Sequence, residues 1–294
     1  MKIRAPAKIN LGLRVLGKRK DGYHLIDTIM VPVSLYDEIE ITRAKPSVPR
    51  SSTSIEVTCD YPLVPEGREN LVYRAAALLI AKSEIDVRLH IHIRKKIPVG
   101  AGLGGGSSDA AATMLALNRL LRLNLRPGQL GKLSASLGAD VPFFIYGRPA
   151  RARGIGNELS FLRRLPLLWA VILYPRFPIS TAWVYGKFKA KLTKFSANNS
   201  INLLLRSADG VRKLLVNDLE IVTISRYPQI GLLKAALKHE GAIGAVMSGS
   251  GSSVFGIFNS RERAEKAFRR LRKMDGPQAF LVRIINRQVD SRAR

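Results

Sequence analysis

Apolar residues alternate with others from the start of this chain. Ile3, Ala5, Ala7, Ile9, Leu11, Leu13 and Val15 recur at every second position, so residues 2–17 predict a strand with Lys8 and Asn10 on its other face. A polar turn with Asp21-Gly22 at its tip follows, and 29–35 and 38–42 predict two more strands. Residues 44–54, rich in Pro, Ser and Arg, predict a mobile loop. The period then changes. Leu71, Ala75, Leu78 and Leu79 fall at helical spacing within 70–82, whereas Val87, Leu89, Ile91 and Ile93 return to strict alternation. A helix is predicted for the Ala- and Leu-rich run that carries Ala110, Met114, Leu117 and Leu121, with Ser107 or Ser108 as its N-cap. Others are predicted at 129–137, ending at Gly138, and at the basic 261–273. Strands are predicted at 167–174, 254–258 and 280–285. This order describes an α+β chain. The polar, arginine-rich stretch after Gly147 divides it into domains 1–155 and 156–294.

Composition narrows the class. A chain of 294 residues with 46% hydrophobic content can bury the cores of two domains. Cys59 is the single cysteine, which excludes an internal disulfide and a cysteine-based zinc cluster. The apolar stretch 9–16 is interrupted by Asn10 and Arg14, and no run reaches the length of a membrane span. The expectation is a cytoplasmic protein with no signal peptide and no membrane partner. A net charge of +26 is spread over basic clusters such as 18–20, 94–96, 187–194 and 261–273. Such a surface attracts polyanions. No nucleic-acid-binding module accompanies it, so no specific nucleic-acid partner is expected. His90 and His92 form an HxH pair on one strand face, but no third ligand stands near them in sequence.

The densest chemistry lies at Pro98-Val99-Gly100-Ala101-Gly102-Leu103-Gly104-Gly105-Gly106-Ser107-Ser108-Asp109-Ala110-Ala111, with five glycines in the seven residues from Gly100 to Gly106. Glycine permits φ > 0 and close approach of backbone to a ligand. A helix opening on such a loop presents free N–H groups and the positive end of its dipole to an anion, so the stretch reads as a phosphate cradle. It is not a Walker A loop, because Gly106 is followed by Ser107 and no lysine. It satisfies GxGxxG only formally, since residues 122–128 lack the acidic residue a dinucleotide site needs. The Val-Ala-Ile-Lys and His-Arg-Asp signatures of protein kinases are missing.

The segment from Pro98 to Ala111 resembles instead the loop of the GHMP kinases (galacto-, homoserine, mevalonate and phosphomevalonate kinases). Two other stretches share the likeness: Ala5-Pro6-Ala7-Lys8-Ile9-Asn10-Leu11 and Met247-Ser248-Gly249-Ser250-Gly251-Ser252-Ser253. Three motifs in order span the chain. Together with Lys20-Asp21-Gly22-Tyr23-His24-Leu25 and Leu137-Gly138-Ala139-Asp140-Val141-Pro142, they resemble the branch whose acceptor is diphosphocytidyl-methylerythritol, phosphorylated by ATP on its 2-hydroxyl in the non-mevalonate isoprenoid pathway. Other GHMP kinases are the near alternative and a polyanion-binding protein the distant one.

The resemblance implies a two-domain α+β fold with the active site in the cleft between the domains, as a monomer or homodimer. Phosphoryl transfer asks for positioning, charge neutralisation and a proton acceptor. On that basis Asp140 is the candidate general base and Lys8 its partner. Residues Pro98, Val99, Gly100, Ala101, Gly102, Leu103, Gly104, Gly105, Gly106, Ser107 and Ser108 would bind the ATP phosphates, and Asn70 and Leu71 match positions near adenine. Ser107 or Ser108 would help place Mg²⁺, and Lys95 and Lys96 lie within reach of the nucleotide. For the acceptor, Tyr23 and Tyr185 match two aromatic positions that sandwich cytosine, His24 matches the residue that reads its edge, and Asn10 and Thr181 line the cleft. Asp109 would place a negative charge beside the triphosphate unless a cation offsets it.

Overall fold

The computed structural model describes residues 1–44, 53–83, 85–162, 165–189, 201 and 204–286. The loop expected at 44–54 and the end of the basic run 187–194 lie largely outside these residues.

Two long antiparallel strands, β1 (Lys2–Lys18) and β2 (His24–Ala44), run through the middle of the molecule. The first follows the alternation of the sequence. The second merges the two strands expected at 29–35 and 38–42. The break between them is a bulge: Pro6 pairs with Tyr36 but Ala7 with Val33, so the ladder shifts without ending.

β3 (Ser54–Cys59) and β4 (Arg88–Arg94) extend this sheet beyond β2, and β8 (Val216–Asn217) lies parallel to β1 on the other side. β5 (Ala150–Arg153) joins the opposite half of β2, and β6 (Glu158–Phe161) pairs with β5. A division at 155/156 would fall inside the β5–β6 hairpin, whose second strand ends at Phe161. The second sheet has the order β11 (Gln278–Arg283), β7 (Trp169–Tyr174), β10 (Val254–Phe258), β9 (Gly244–Met247), all antiparallel.

Helices α1 (Leu71–Ser83), α2 (Gly105–Leu120), α3 (Pro127–Ser134) and α4 (Val141–Tyr146) belong to the first core. After β7 come α5 (Thr181–Lys187), α6 (Ala208–Leu214), α7 (Glu220–Arg226), α8 (Gln229–His239) and α9 (Arg261–Leu271), of which α8 and α9 pack on the second sheet. β3 and α4, six residues each and too short for a clear period, have no counterpart in the sequence reading, and neither do β5, β6, β8, β9 and α5 to α8.

Two cap expectations change. α2 starts at Gly105 with Gly104 as its cap at φ 71°, so Ser107 and Ser108 lie inside the first turn. The Ser108 hydroxyl donates to the Pro6 carbonyl at 2.6 Å rather than capping. α3 ends at Ser134, and Gly138 serves the turn into α4, accepting from the Val141 N–H at 3.2 Å.

Three apolar clusters result, and β1 threads all of them. Ile3 and Ala5 join the core between the first sheet and α1–α4. Ala7, Ile9 and Leu11 join the core shared by the two sheets, and Leu13 and Val15 the core under α8 and α9. Each buried Ile or Leu adds about 1.5–3 kcal/mol. β1 is therefore covered on both faces, which places Lys8 and Asn10 inside the protein at 5% and 3% exposure.

Candidate active site

A cavity of about 590 Å³ opens where the two sheets meet. Lys8, Asn10 and Thr28 of the central strand pair contribute to it, together with the glycine loop and Asp140. Ile179, Thr181, Tyr185 and residues 249–251 line it from the second half. The cleft expected between the halves is thus present.

The Lys8 ammonium donates to Asn10 Oδ1 at 2.6 Å and stands 3.4 Å from Asp140 Oδ2. Asp140 precedes α4, where Pro142 near the start of the helix fixes the chain direction. Its side chain keeps 32% exposure, against 6% for Lys8, so both line the cavity but the carboxylate is the more open of the two.

The glycine loop is shaped by close approach. Gly100, Gly102 and Gly104 have φ of +65°, +74° and +71°. A Cβ on Gly102 would stand 2.0 Å from the Ser248 carbonyl oxygen, and one on Gly100 2.5 Å from Pro178 Cβ. On Gly104 it would press on the Phe144 ring at 2.9 Å and on Lys8 Cγ at 3.1 Å. The second half ties the loop down: the Ile179 and Ser253 N–H groups donate to the Gly100 and Ala101 carbonyls at 3.1 Å, and Ser248 Oγ donates to the Gly102 carbonyl at 2.9 Å. The Lys8 N–H donates to the Leu103 carbonyl at 2.9 Å, so the loop is tied to β1 as well. From Pro98 to Ser107 every residue lines the cavity except Leu103, whose side chain is buried. Ser108 does not line it.

Asn70 and Leu71 lie at the same cavity. Asn70 opens α1, its Oδ1 accepting from the Val72 N–H at 2.8 Å while its Nδ2 donates to the Pro65 carbonyl at 2.6 Å. Lys95 lines the cavity whereas Lys96 is exposed outside it. The Lys95 ammonium bridges two buried carboxylates, Asp37 at 2.5 Å and Asp109 at 2.9 Å. Asp37 also accepts from the Lys96 and Ile97 N–H groups at 2.6 and 2.8 Å, whereas Asp109 Oδ1 has no hydrogen-bond partner among the described residues. Burial pushes the Asp109 carboxyl up to about 8, against the opposing pull of Lys95. Burial alone would lower Lys95, but the charges of Asp109 and Asp37 outweigh it and raise its pKa. With its carboxyl pushed up to about 8, Asp109 is held mostly protonated at neutral pH, and Lys95 stands beside it as the counter-charge when it ionises.

Thr181 and Tyr185 are one turn apart at the start of α5, on one face. Thr181 Oγ1 lies 2.8 Å from Ser250 Oγ. The Tyr185 ring packs against His24 with centroids 5.2 Å apart and a 36° tilt. Burial and then the nearby Asp140 charge push the Tyr185 phenol up, and burial and then Lys18 push the His24 imidazole down. Tyr23 is 62% exposed, and neither it nor His24 lines the cavity. Of the aromatic trio, the structure therefore brings Tyr185 and His24 together and leaves Tyr23 apart.

Thr28 was not flagged by sequence, because one threonine in an apolar strand gives no local signal. The motif from Met247 to Ser253 was visible, but its task of holding the glycine loop was not. His90 and His92 turn to a common partner, Thr58 Oγ1, at 3.3 and 2.9 Å. No helix among the described residues is long and apolar enough to cross a membrane.

Residues 70–148 match the GHMP kinases N terminal domain, and residues 200–275 match the GHMP kinases C terminal domain. A 4-diphosphocytidyl-2-C-methyl-D-erythritol kinase of Citrifermentans bemidjiense is 46% identical over 285 residues, 97% of this chain and 99% of that protein. A crystal structure of 4-(cytidine 5'-diphospho)-2C-methyl-D-erythritol kinase superposes with a TM-score of 0.82 at 36% identity, over 97% of this chain and 99% of that one. A homoserine kinase of Cytophaga hutchinsonii shares the fold, with a TM-score of 0.72 at 20% identity over 98% of this chain and 95% of its own.

Proposed function

Because the chain belongs to the GHMP kinase family, we propose that it transfers the γ-phosphoryl group of ATP to the 2-hydroxyl of 4-diphosphocytidyl-2-C-methyl-D-erythritol in the cytoplasm. The observation that carries this is the convergence on one cavity of the glycine loop, the Lys8–Asp140 pair and, from the other half, Thr181 and Tyr185. The acceptor follows from the relative at 46% identity, a 4-diphosphocytidyl-2-C-methyl-D-erythritol kinase.

In this reading the loop N–H groups and the start of α2 hold the triphosphate. The acceptor lies along α5, with its 2-hydroxyl beside Asp140. As that oxygen forms its bond to the γ-phosphorus, the bond to the bridging β,γ-oxygen breaks and ADP leaves. The hydroxyl proton passes to Asp140. Lys8 steadies the Asp140 carboxylate and the attacking oxygen. Ser107, at the cavity, suits a Mg²⁺ role better than Ser108, whose hydroxyl is turned to Pro6. Among the described residues no group of three His, Cys, Asp or Glu side chains could hold a metal; Mg²⁺ would be held by the substrate phosphates together with Ser107. When bound, it would neutralise charge on the phosphate oxygens.

The test offers ATP with 4-diphosphocytidyl-2-C-methyl-D-erythritol, mevalonate, homoserine and galactose in parallel. Turnover confined to the first supports the proposal. Preference for any other acceptor would overturn the substrate while leaving the family intact.

A further inference from the structure

The Lys8 ammonium depends on a buried relay that ends in a residue without an assigned role. Asn10 Oδ1 accepts from Lys8 at 2.6 Å, and Asn10 Nδ2 donates to Thr28 Oγ1 at 2.8 Å. Thr28 Oγ1 in turn donates to the Gly12 carbonyl at 2.7 Å. Lys8, Asn10 and Thr28 are all at or below 5% exposure, so these contacts are largely shielded from water at the floor of the cavity. The backbone makes this possible. A register shift between Asn10 and Gly12 breaks the β1–β2 ladder at this point and sets the Gly12 carbonyl against the Thr28 side chain.

From this chain of donors we infer that Thr28 is a positioning residue for Lys8, acting by fixing which way the Asn10 amide faces. The inference rests on the kinase reading of the Lys8–Asp140 pair. A hydroxyl has one proton. Thr28 gives its proton to Gly12 and can only accept from Asn10. Asn10 must therefore present Nδ2 to Thr28 and Oδ1 to Lys8. With the amide reversed, Nδ2 would face an ammonium that has no lone pair, and Oδ1 would face a hydroxyl with no proton left. Both contacts would fail inside the protein, where an unmade hydrogen bond is costly. The same asparagine is held from the backbone side, where its N–H donates to Ser248 Oγ at 3.3 Å. Asn10 thus has a structural duty toward Lys8 in addition to its expected place along the acceptor.

Thr28→Val keeps the shape and removes the hydroxyl. Its kcat should fall by about tenfold to a hundredfold, as for a misplaced catalytic group, with the KM for ATP within twofold of wild type. Thr28→Ser restores the hydroxyl and should recover kcat to within threefold. A Thr28→Val enzyme with wild-type kcat, a loss lying wholly in KM, or a well-folded Thr28→Ser enzyme as slow as the valine variant would overturn the inference. If Thr28→Val does not fold, wild-type NMR decides. The Asn10 side-chain amide protons should show cross-peaks to the Thr28 methyl and not to the Lys8 ammonium; the reverse pattern would overturn it. The NMR result needs no substrate, so it judges Thr28 even if the acceptor assay fails.

Discussion

Lys8 Nζ and Asp140 Oδ2 stand 3.4 Å apart at the junction of a strand buried on both faces and the first turn of a short helix. The lysine is fixed by Asn10, and the aspartate stands at the N-cap of α4, where its carboxylate makes no capping hydrogen bond and is left to face Lys8. A cation held against one oxygen of a carboxylate keeps it ionised and leaves the other oxygen open, which suits a proton acceptor for an incoming hydroxyl.

Asp140→Asn keeps the size of the side chain and removes its basicity. Turnover should fall by about 10²–10⁴, with ATP affinity by calorimetry within threefold of wild type. Turnover within threefold of wild type would remove Asp140 as the base.

The glycine loop predicts unequal tolerance among its glycines. A Cβ at Gly102 meets the Ser248 carbonyl oxygen at 2.0 Å, at a φ of +74°. A Cβ at Gly106 meets only Leu71 Cδ1, at 3.8 Å and without a positive φ. Gly102→Ala should therefore lose about 1–2 kcal/mol from the backbone conformation and about 1–3 kcal/mol from the clash. Gly106→Ala, in the first turn of α2, should melt at or above the wild-type temperature. Equal melting temperatures for the two variants would contradict the loop geometry.

Much of this was legible in the chain. Alternation gave β1 and β4, helical spacing gave α1, and the basic run from Arg261 gave α9 within two residues. Periodicity failed where a long-range partner decides the outcome. Tyr36 and Asp37 look like a break between strands, yet Pro6 and the buried Lys95 hold them in one continuous strand. The glycine loop was legible as a phosphate cradle, but its tie to Ser248 joins residues far apart in sequence. Lys8 alternates like a solvated strand lysine. It is buried because the glycine loop and Asp140, distant in sequence, close over its face of β1.

Asp109 predicts an unusual pH dependence. Its carboxyl is raised from 3.8 in the unfolded chain to about 8 in the fold, chiefly by burial. Between those values the native state binds the extra proton, so this group lowers stability as pH rises. Its contribution is least unfavourable below about pH 4 and most unfavourable above about pH 8. Asp109→Asn removes it. The stability of Asp109→Asn relative to wild type, from urea melts at pH 5, 6, 7 and 8, should therefore rise with pH. The limit is about 1.4 kcal/mol per unit. Lys95 stays charged throughout, since its own pKa is raised. A constant difference across the series would mean that Asp109 is ionised over the whole range.

The last prediction separates the acceptor end from the nucleotide end. Tyr185 lines the cavity on α5, beside Thr181 and with its ring 5.2 Å from His24. A base stacked on one aromatic ring loses about 1–3 kcal/mol when the ring is cut to alanine. Tyr185→Ala should raise the KM for the cytidine acceptor by at least about tenfold, which corresponds to about 1.4 kcal/mol, and leave the KM for ATP within twofold. The phenol is also close enough to Asp140 for that charge to help raise its pKa. Loss of the hydroxyl alone must therefore be controlled, and Tyr185→Phe, which keeps the ring, should hold the acceptor KM within threefold. Tyr23 makes a sharper comparison. At 62% exposure and away from the cavity, it can stack on the base only if its turn closes over the bound acceptor. If it does, Tyr23→Ala will raise the acceptor KM as Tyr185→Ala does; if Tyr185 stacks alone, Tyr23→Ala will leave it unchanged. A Tyr185→Ala enzyme with both KM values unchanged would place the cytosine elsewhere in the cleft.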